Sequence, residues 1–376
     1  ISQLFVAATQ PPHLAAITPQ SVIGDTYRST LYPGGILNGG FAVDWAAERD
    51  NDARPAAHAW VRDRIAAGDT ECAANQELHG QAVSILDRLE PEAFYEAAGD
   101  SLAPRTFVDR IQVPTYLGVA WQDEQTGGEA ANLLDDFTSL GGPGEPPVRA
   151  QLMNGAHAEQ YTPESYLRIL EFLDFYVARK VPGLVGPLRQ FANLGFAQLI
   201  GAPGIDLPPD RTWPSDFEEA LAAYEAEPPI RVSLDQGAAG SGGAACPDGD
   251  RSPVPCPAGY PYSAFSVGFD TWPPPQTQPW RLYLQPDGGL GDMATVSAGS
   301  PRSYDTYRYD GSAGGQGIDA DRNLMSPNPG FHWAQNPEGT SLSFLTEPLA
   351  EDRVMVGTGS VDLWVRSTAP DVDLEV

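Results

Sequence analysis

A chain of 376 residues, 41% hydrophobic and 10% aromatic, is long enough for two or three domains with packed cores. Its formal charge of −28 argues against nucleic acid or an anionic membrane surface as partner, because such surfaces are bound through Lys and Arg that displace counterions. Thirty-nine glycines and 36 prolines argue against an all-helical protein and for a turn-rich, strand-rich region.

In chain order, "ISQLFVAATQPP" has an amphipathic helical pattern ended by Pro11, and "HLAAITPQ" reads as a short buried strand ended by Pro19. From Ser21 to about Pro104 the pattern is helical and irregular. There "RPAAHAWVRDRIAAG" and "ELHGQAVSILDRL" carry apolar residues three and four apart, as an insertion over a sheet would. From Arg110 the texture changes: "IQVPTYLGVA" is an apolar run with β-branched residues, "GGEAANLLDDFTSL" is helical, and "PVRAQLM" is a second apolar run. The next segment, "TPESYLRILEFLDFYVARK", predicts a helix with Thr162 as N-cap, Pro163 at the first helical position and Lys180 near the end. Its expected apolar face is Tyr166, Ile169, Leu170, Leu173 and Val177. Strand, helix, strand, helix predicts a parallel sheet covered by helices. "RTWPSDFEEALAAYEAEPP" follows, and from Ile230 short strand-like runs such as "RLYLQP", "LSFLTEP" and "VDLWVRS" predict an antiparallel β-sandwich.

Cys246 and Cys256 bracket "PDGDRSPVP", a spacing that suits a short disulfide-closed loop, while Cys72 has no evident partner. Spacing alone leaves bridged and reduced forms open. A bridge would make the protein secreted or periplasmic, and without one the cytoplasm remains open. No run approaches the roughly 18 to 20 apolar residues of a membrane span. The first residues lack the basic segment and apolar core of a leader, so neither leader nor anchor is expected. No metal-ligand cluster, phosphate loop or dinucleotide motif is found. "GSGGAAC" lacks the Lys of a P-loop and a strand feeding a helix, so no cofactor is expected.

In open α/β sheets, ligands gather at the carboxyl ends of the strands. His157, one of five histidines, follows the "PVRAQLM" run, and Asp123 follows the preceding strand in "GVAWQDEQTGG". An Asp followed by a His on successive strand-end loops is the order of the last two members of a Ser, Asp, His triad. The acid holds the imidazole tautomer while the imidazole takes a proton from the serine hydroxyl. From these residues alone, a capping or surface histidine and a solvated aspartate remain open.

Further stretches carry a resemblance. "ISQLFVAATQPPHLAAITPQ" resembles the segment after the Gly-x-Ser-Tyr-x-Gly nucleophile motif of the α/β-hydrolases that include cocaine esterase, α-amino acid ester hydrolases and X-prolyl dipeptidyl peptidases, with Gln3 where that helix carries a Gln. "GDTYRSTLYPGG" resembles the start of that family's helical cap. "VPTYLGVAWQDE" resembles the strand bearing its catalytic Asp, "MNGAHAEQ" the loop bearing its catalytic His, and "WPPPQTQPWRLYLQPDGGL" the entry to its jelly roll.

The resemblance implies an α/β fold: a partial α/β-hydrolase core with a helical cap, followed by a C-terminal β-sandwich of jelly-roll type. Residues 1–20 and 106–185 would be core, 21–105 cap, 186–229 a linker or helical segment, and 230–376 an incomplete jelly roll. It implies a serine hydrolase of esters, acyl amides or X-Pro peptides, with Asp123 and His157 catalytic and the serine upstream of Ile1. Ser2 lies on the wrong side of the motif. The competing expectation is an inactive, hydrolase-like binding module whose jelly roll resembles carbohydrate-binding sandwiches. Recognition of a substrate α-amine needs carboxylates, because a buried ammonium is costly unless paired, and Asp25 and Glu124 are the candidates. Tyr27, Tyr32, Trp45 and Trp121 are candidates for an apolar acyl pocket. The expected partner is a small ester, amide or short peptide, with no nucleic acid and no membrane. A homo-oligomer is compatible with these features.

Overall fold

The structure is a computed structural model describing residues 1–81, 83–89, 94–142, 145–153, 157, 163–183, 189–191, 209–234, 265–285, 288–294, 305–310, 337–357, 359–370 and 372–374. The chain divides into two units, one containing Ile1–Trp272 and one starting at Pro273.

The first unit opens with helix α1 (Ser2–Ala8), which buries Leu4 and Ala7. The Gln3 side-chain oxygen accepts the Thr18 N–H at 2.7 Å, tying the helix to the strand-like stretch that comes next. That stretch bridges in parallel to strand β1 (Thr115–Ala120) at Ile17 and Gln20. Between the two lies the segment expected as a cap, with helices α2 (Phe41–Asp52), α3 (Ala59–Ala66), α4 (Thr70–His79) and α5 (Leu86–Leu89).

The "ELHGQAVSILDRL" stretch is not one helix. It breaks at Gly80, where a Cβ would fall 2.6 Å from the Pro55 ring. Beyond the break, Asp50 of α2 accepts the N–H groups of Ile85 at 2.9 Å and Leu86 at 3.0 Å, so a carboxylate from another helix satisfies the free donors that start α5.

Strand β1 pairs in parallel with β2 (Val148–Met153), β2 in parallel with β3 (Ile230–Leu234), and β3 antiparallel with β4 (Phe265–Phe269). Every residue of β1 and β2 is buried, as expected of inner strands covered on both faces. Thr115 lies opposite Val148 and Ala120 opposite Met153, so both strands end at one level. Between them "GGEAANLLDDFTSL" forms a 3-10 turn (Gly128–Asn132) leading into the short helix α6 (Leu133–Asp136).

Helix α7 (Pro163–Leu173) starts at Pro163 as expected, with Thr162 outside the described residues. Its buried face differs from the expected one. Ile169, Phe172 and Phe175 are buried, whereas Val177 is exposed and Tyr166, Leu170 and Leu173 are half-buried. The α-helix ends at Leu173 and widens into a π-type turn over Asp174–Ala178, which breaks the 3.6-residue spacing that would have carried Val177 inward. Two aromatics then set the face. Phe172 and Phe175 pack with Tyr116 of β1 and with Ala220 and Tyr224 of helix α8 (Phe217–Glu225). Ring centres lie 5.5 Å apart for Tyr116 and Phe172, and 4.8 Å apart for Phe175 and Tyr224.

Helix α8, in the stretch expected as a linker or helical segment, is therefore part of this core. β3, expected as the first strand of the C-terminal sandwich at 230, instead extends the parallel sheet, with the Ala150 N–H donating to the Pro229 carbonyl at 2.9 Å. The division between compact units falls between Trp272 and Pro273.

In the second unit, β5 (Tyr283–Gln285) and β6 (Gly289–Gly291) are antiparallel, and β7 (Leu345–Thr346) runs parallel to β6. The residues of "VDLWVRS", expected as a strand, form none, and Trp364 is fully exposed. Cys72 is free, and the Cys246 and Cys256 pairing lies outside the described residues. Among the described residues, no helix is long and apolar enough to cross a membrane.

Candidate active site

Because β1 and β2 are parallel and end in register, the chain leaves both strands at the same edge of the sheet. Asp123, three residues past β1, is buried with its side chain 1% exposed, while the His157 side chain is 31% exposed. His157 Nδ1 lies 3.0 Å from each carboxylate oxygen of Asp123. The carboxylate is fixed from behind by its own turn, since Oδ1 accepts the N–H of Gln125 at 2.9 Å and of Thr126 at 2.8 Å. Gly127 completes this turn at φ +76°, and a Cβ there would fall 2.8 Å from the Ser29 carbonyl. Glu124, next to Asp123, accepts the His157 backbone N–H at 3.0 Å, and the Ser21 hydroxyl donates to the His157 carbonyl at 2.8 Å.

The electrostatics arise from this packing. Burial disfavours the Asp123 carboxylate, but the His157 hydrogen bond, the imidazolium charge and the Thr126 N–H and hydroxyl outweigh it and hold the carboxyl below its ordinary range. Burial likewise disfavours imidazolium at His157. The hydrogen bond and charge of Asp123, helped by the charge of Glu124, outweigh it and raise the imidazole above its ordinary value, against the α-amino group of Ile1.

Asp123, Glu124 and His157 thus meet in one hydrogen-bonded group. The other candidates sit in separate contacts. Asp25 is buried at the start of the π-type turn Thr26–Leu31, where it accepts the Arg28 N–H at 2.9 Å and pairs with the Arg28 guanidinium at 2.5 Å. Tyr27 stacks on Tyr32 at 5.0 Å, and the Tyr32 hydroxyl donates to the Leu89 carbonyl. Trp45 of α2 stacks on Phe41 at 6.5 Å, and Trp121 stacks on Trp272 at 6.4 Å.

Ser21 and Thr126 join this group in addition to the residues the sequence pattern points to. Thr126 had a readable signal, because in "DEQT" an Asp two and three residues before free N–H groups closes a local turn. Ser21 had none, because its partner lies 136 residues away.

A parallel sheet with a buried aspartate hydrogen-bonded to a histidine at the carboxyl ends of adjacent strands is the arrangement of α/β-hydrolase-type proteins. A model of the X-Pro dipeptidyl-peptidase (S15) family matches residues 1–159, and a model of the X-Pro dipeptidyl-peptidase C-terminal non-catalytic domain matches residues 222–376. The chain belongs to the X-Pro dipeptidyl-peptidase S15 family, with the hydrolase-type domain followed by the family's C-terminal domain. An aminopeptidase from a marine sediment archaeon, Thaumarchaeota archaeon, is similar at 15% identity and a TM-score of 0.44, over 81% of this chain and 42% of its own. The chain thus spans less than half the length of that structure. No curated protein matches.

Proposed function

We propose that the complete protein is a serine hydrolase acting on ester, acyl-amide or X-Pro peptide bonds, with His157 as general base and Asp123 as its orienting acid. The observation that carries this reading is the 3.0 Å contact of His157 Nδ1 with both oxygens of Asp123. With Nδ1 committed to the acid, Nε2 is left to take a proton from a nucleophile and return it to the leaving group. The nucleophile of this reading is a serine preceding Ile1. Its support is the resemblance of α1 and its neighbouring strand-like stretch to the segment behind the nucleophile motif. Trp121, two residues before the acid, is proposed for the acyl pocket with Tyr27, Tyr32 and Trp45. Asp25 already carries the Arg28 charge, which weakens it as a partner for a substrate ammonium. The C-terminal unit is proposed as a jelly roll and the protein as extracytoplasmic, acting on small substrates.

A fluorophosphonate probe, which labels activated serines, tests this reading on the full-length protein. Stoichiometric labelling at a serine preceding Ile1 is the expected result. Labelling mapped to a serine within residues 1–376, Ser2 being the first to examine, would overturn the placement. No labelling together with no hydrolysis would favour a binding module instead.

The same electrostatics set the pH dependence. A general base works only when neutral, and His157 is raised above 6.5, so the acid limb of kcat/KM is expected to have its midpoint above 6.5. The stability contribution runs oppositely for the two partners. That of His157 is full below 6.5 and is lost as pH rises through its folded value, whereas that of Asp123 is present above 3.8 and is lost as pH falls through its folded value. A kcat/KM profile flat from pH 5 to 8 would exclude His157 as the base.

A further inference from the structure

His157 is held by its peptide groups as well as by its ring. The Ser21 hydroxyl donates to its carbonyl at 2.8 Å, and Glu124 Oε2 accepts its N–H at 3.0 Å. Ser21 directly follows Gln20, which bridges to Gly118 of β1, so its hydroxyl is mounted on the sheet. Glu124 directly follows Asp123, so its carboxylate is mounted on the turn that presents the acid. Ser21 is also buried with φ +48°, in the left-handed region that glycine occupies freely and a residue with a Cβ does not. A side chain kept at such a backbone position points to a task for that side chain, and the hydroxyl's bond to His157 supplies it.

We propose that Ser21 and Glu124 are positioning residues for His157, the hydroxyl holding its carbonyl and the carboxylate its amide, so that the imidazole stays in line between Asp123 and the reacting group. The proposal rests on reading His157 as the general base. It treats Glu124 as engaged with the protein's own backbone rather than with a substrate amine. Neither residue touches substrate in this account. Each acts by limiting how far Nε2 wanders, and displacements of about 1 Å at a reacting group cost on the order of 10²-fold.

The test uses the full-length protein. Ser21→Gly removes the hydroxyl and relieves the backbone, so its melting temperature should equal or exceed that of the wild type while kcat falls by about tenfold at unchanged KM, part of the cost of a fully misplaced base. Glu124→Ala should lower kcat similarly. Glu124→Gln keeps an oxygen acceptor for the His157 N–H and should restore most of the rate. A second readout needs no turnover: the His157 Nδ1 proton, hydrogen-bonded to Asp123, gives a far-downfield NMR resonance whose exchange with water should quicken in Ser21→Gly and Glu124→Ala. Wild-type kcat and wild-type exchange in Ser21→Gly would overturn the proposal for Ser21, and the same pair of results in Glu124→Ala would overturn it for Glu124. Should His157→Ala keep its activity while the exchange rate still responds to Ser21→Gly, the base assignment fails and the hold on His157 stands.

Discussion

Replacing His157 with alanine in the full-length protein is expected to lower kcat by on the order of 10³-fold or more, with KM and the melting curve little changed. In the proposed mechanism the ring carries the proton, and among the described residues at the site Asp123 and Glu124 are both engaged with His157 and not free to replace it. The fold should tolerate the change for two reasons. About a third of the His157 side chain faces solvent, at 31% exposure, so water can enter where the ring stood. The Asp123 carboxylate also keeps the Gln125 and Thr126 N–H groups as donors and is not left as a bare buried charge. Activity within tenfold of wild type, on a protein with an unchanged melting curve, would remove His157 from the mechanism.

Asp123→Asn should be comparably severe, about 10³- to 10⁴-fold in kcat, by a different route. The turn after β1 presents two N–H groups to Oδ1, and these anchor the oxygen of an asparagine amide in that place. The NH₂ then occupies the position of Oδ2, 3.0 Å from His157 Nδ1, and a donor there favours the tautomer protonated at Nε2. A base already carrying its proton cannot accept another, and the amide offers no charge to balance an imidazolium. Steady-state kinetics together with ¹⁵N shifts of the imidazole would check both halves. A variant with near-normal kcat and an unchanged tautomer would show that Asp123 is dispensable. The two substitutions combined should cost little more than His157→Ala alone, because they disable one unit.

Much of the site was legible in the sequence because the strands carrying it are inner strands. "TYLGVA" and "VRAQLM" are apolar enough to be read as buried strands, and the residues just past such strands in a parallel sheet are where ligands gather. The capping turn of Asp123 is also local chemistry, written in "DEQT". Features that depend on a partner far along the chain were not legible. Continuous α-helical periodicity carries Val177 inward, but the change to a π-type turn after Leu173 leaves it exposed, while Phe172 and Phe175 pack on Tyr116 and Tyr224. Which strand β3 joins is likewise not written in its own residues: it pairs with β2, some 80 residues earlier in register (Ala150 with Ile230).

That an aspartate and a histidine come after successive buried strands, in an order that suits an acid and base pair, is readable from the residues alone. Composition and spacing are local properties, and such properties suffice to place residues on elements. That the two side chains meet is a property of the folded sheet. The parallel register that sets Ala120 opposite Met153 brings together residues 34 apart in sequence, and the hold of Ser21 on His157 spans 136. Register and long-range hydrogen bonds are settled by which elements pack together, a choice made by the buried surface of the whole domain and written in no single segment of it.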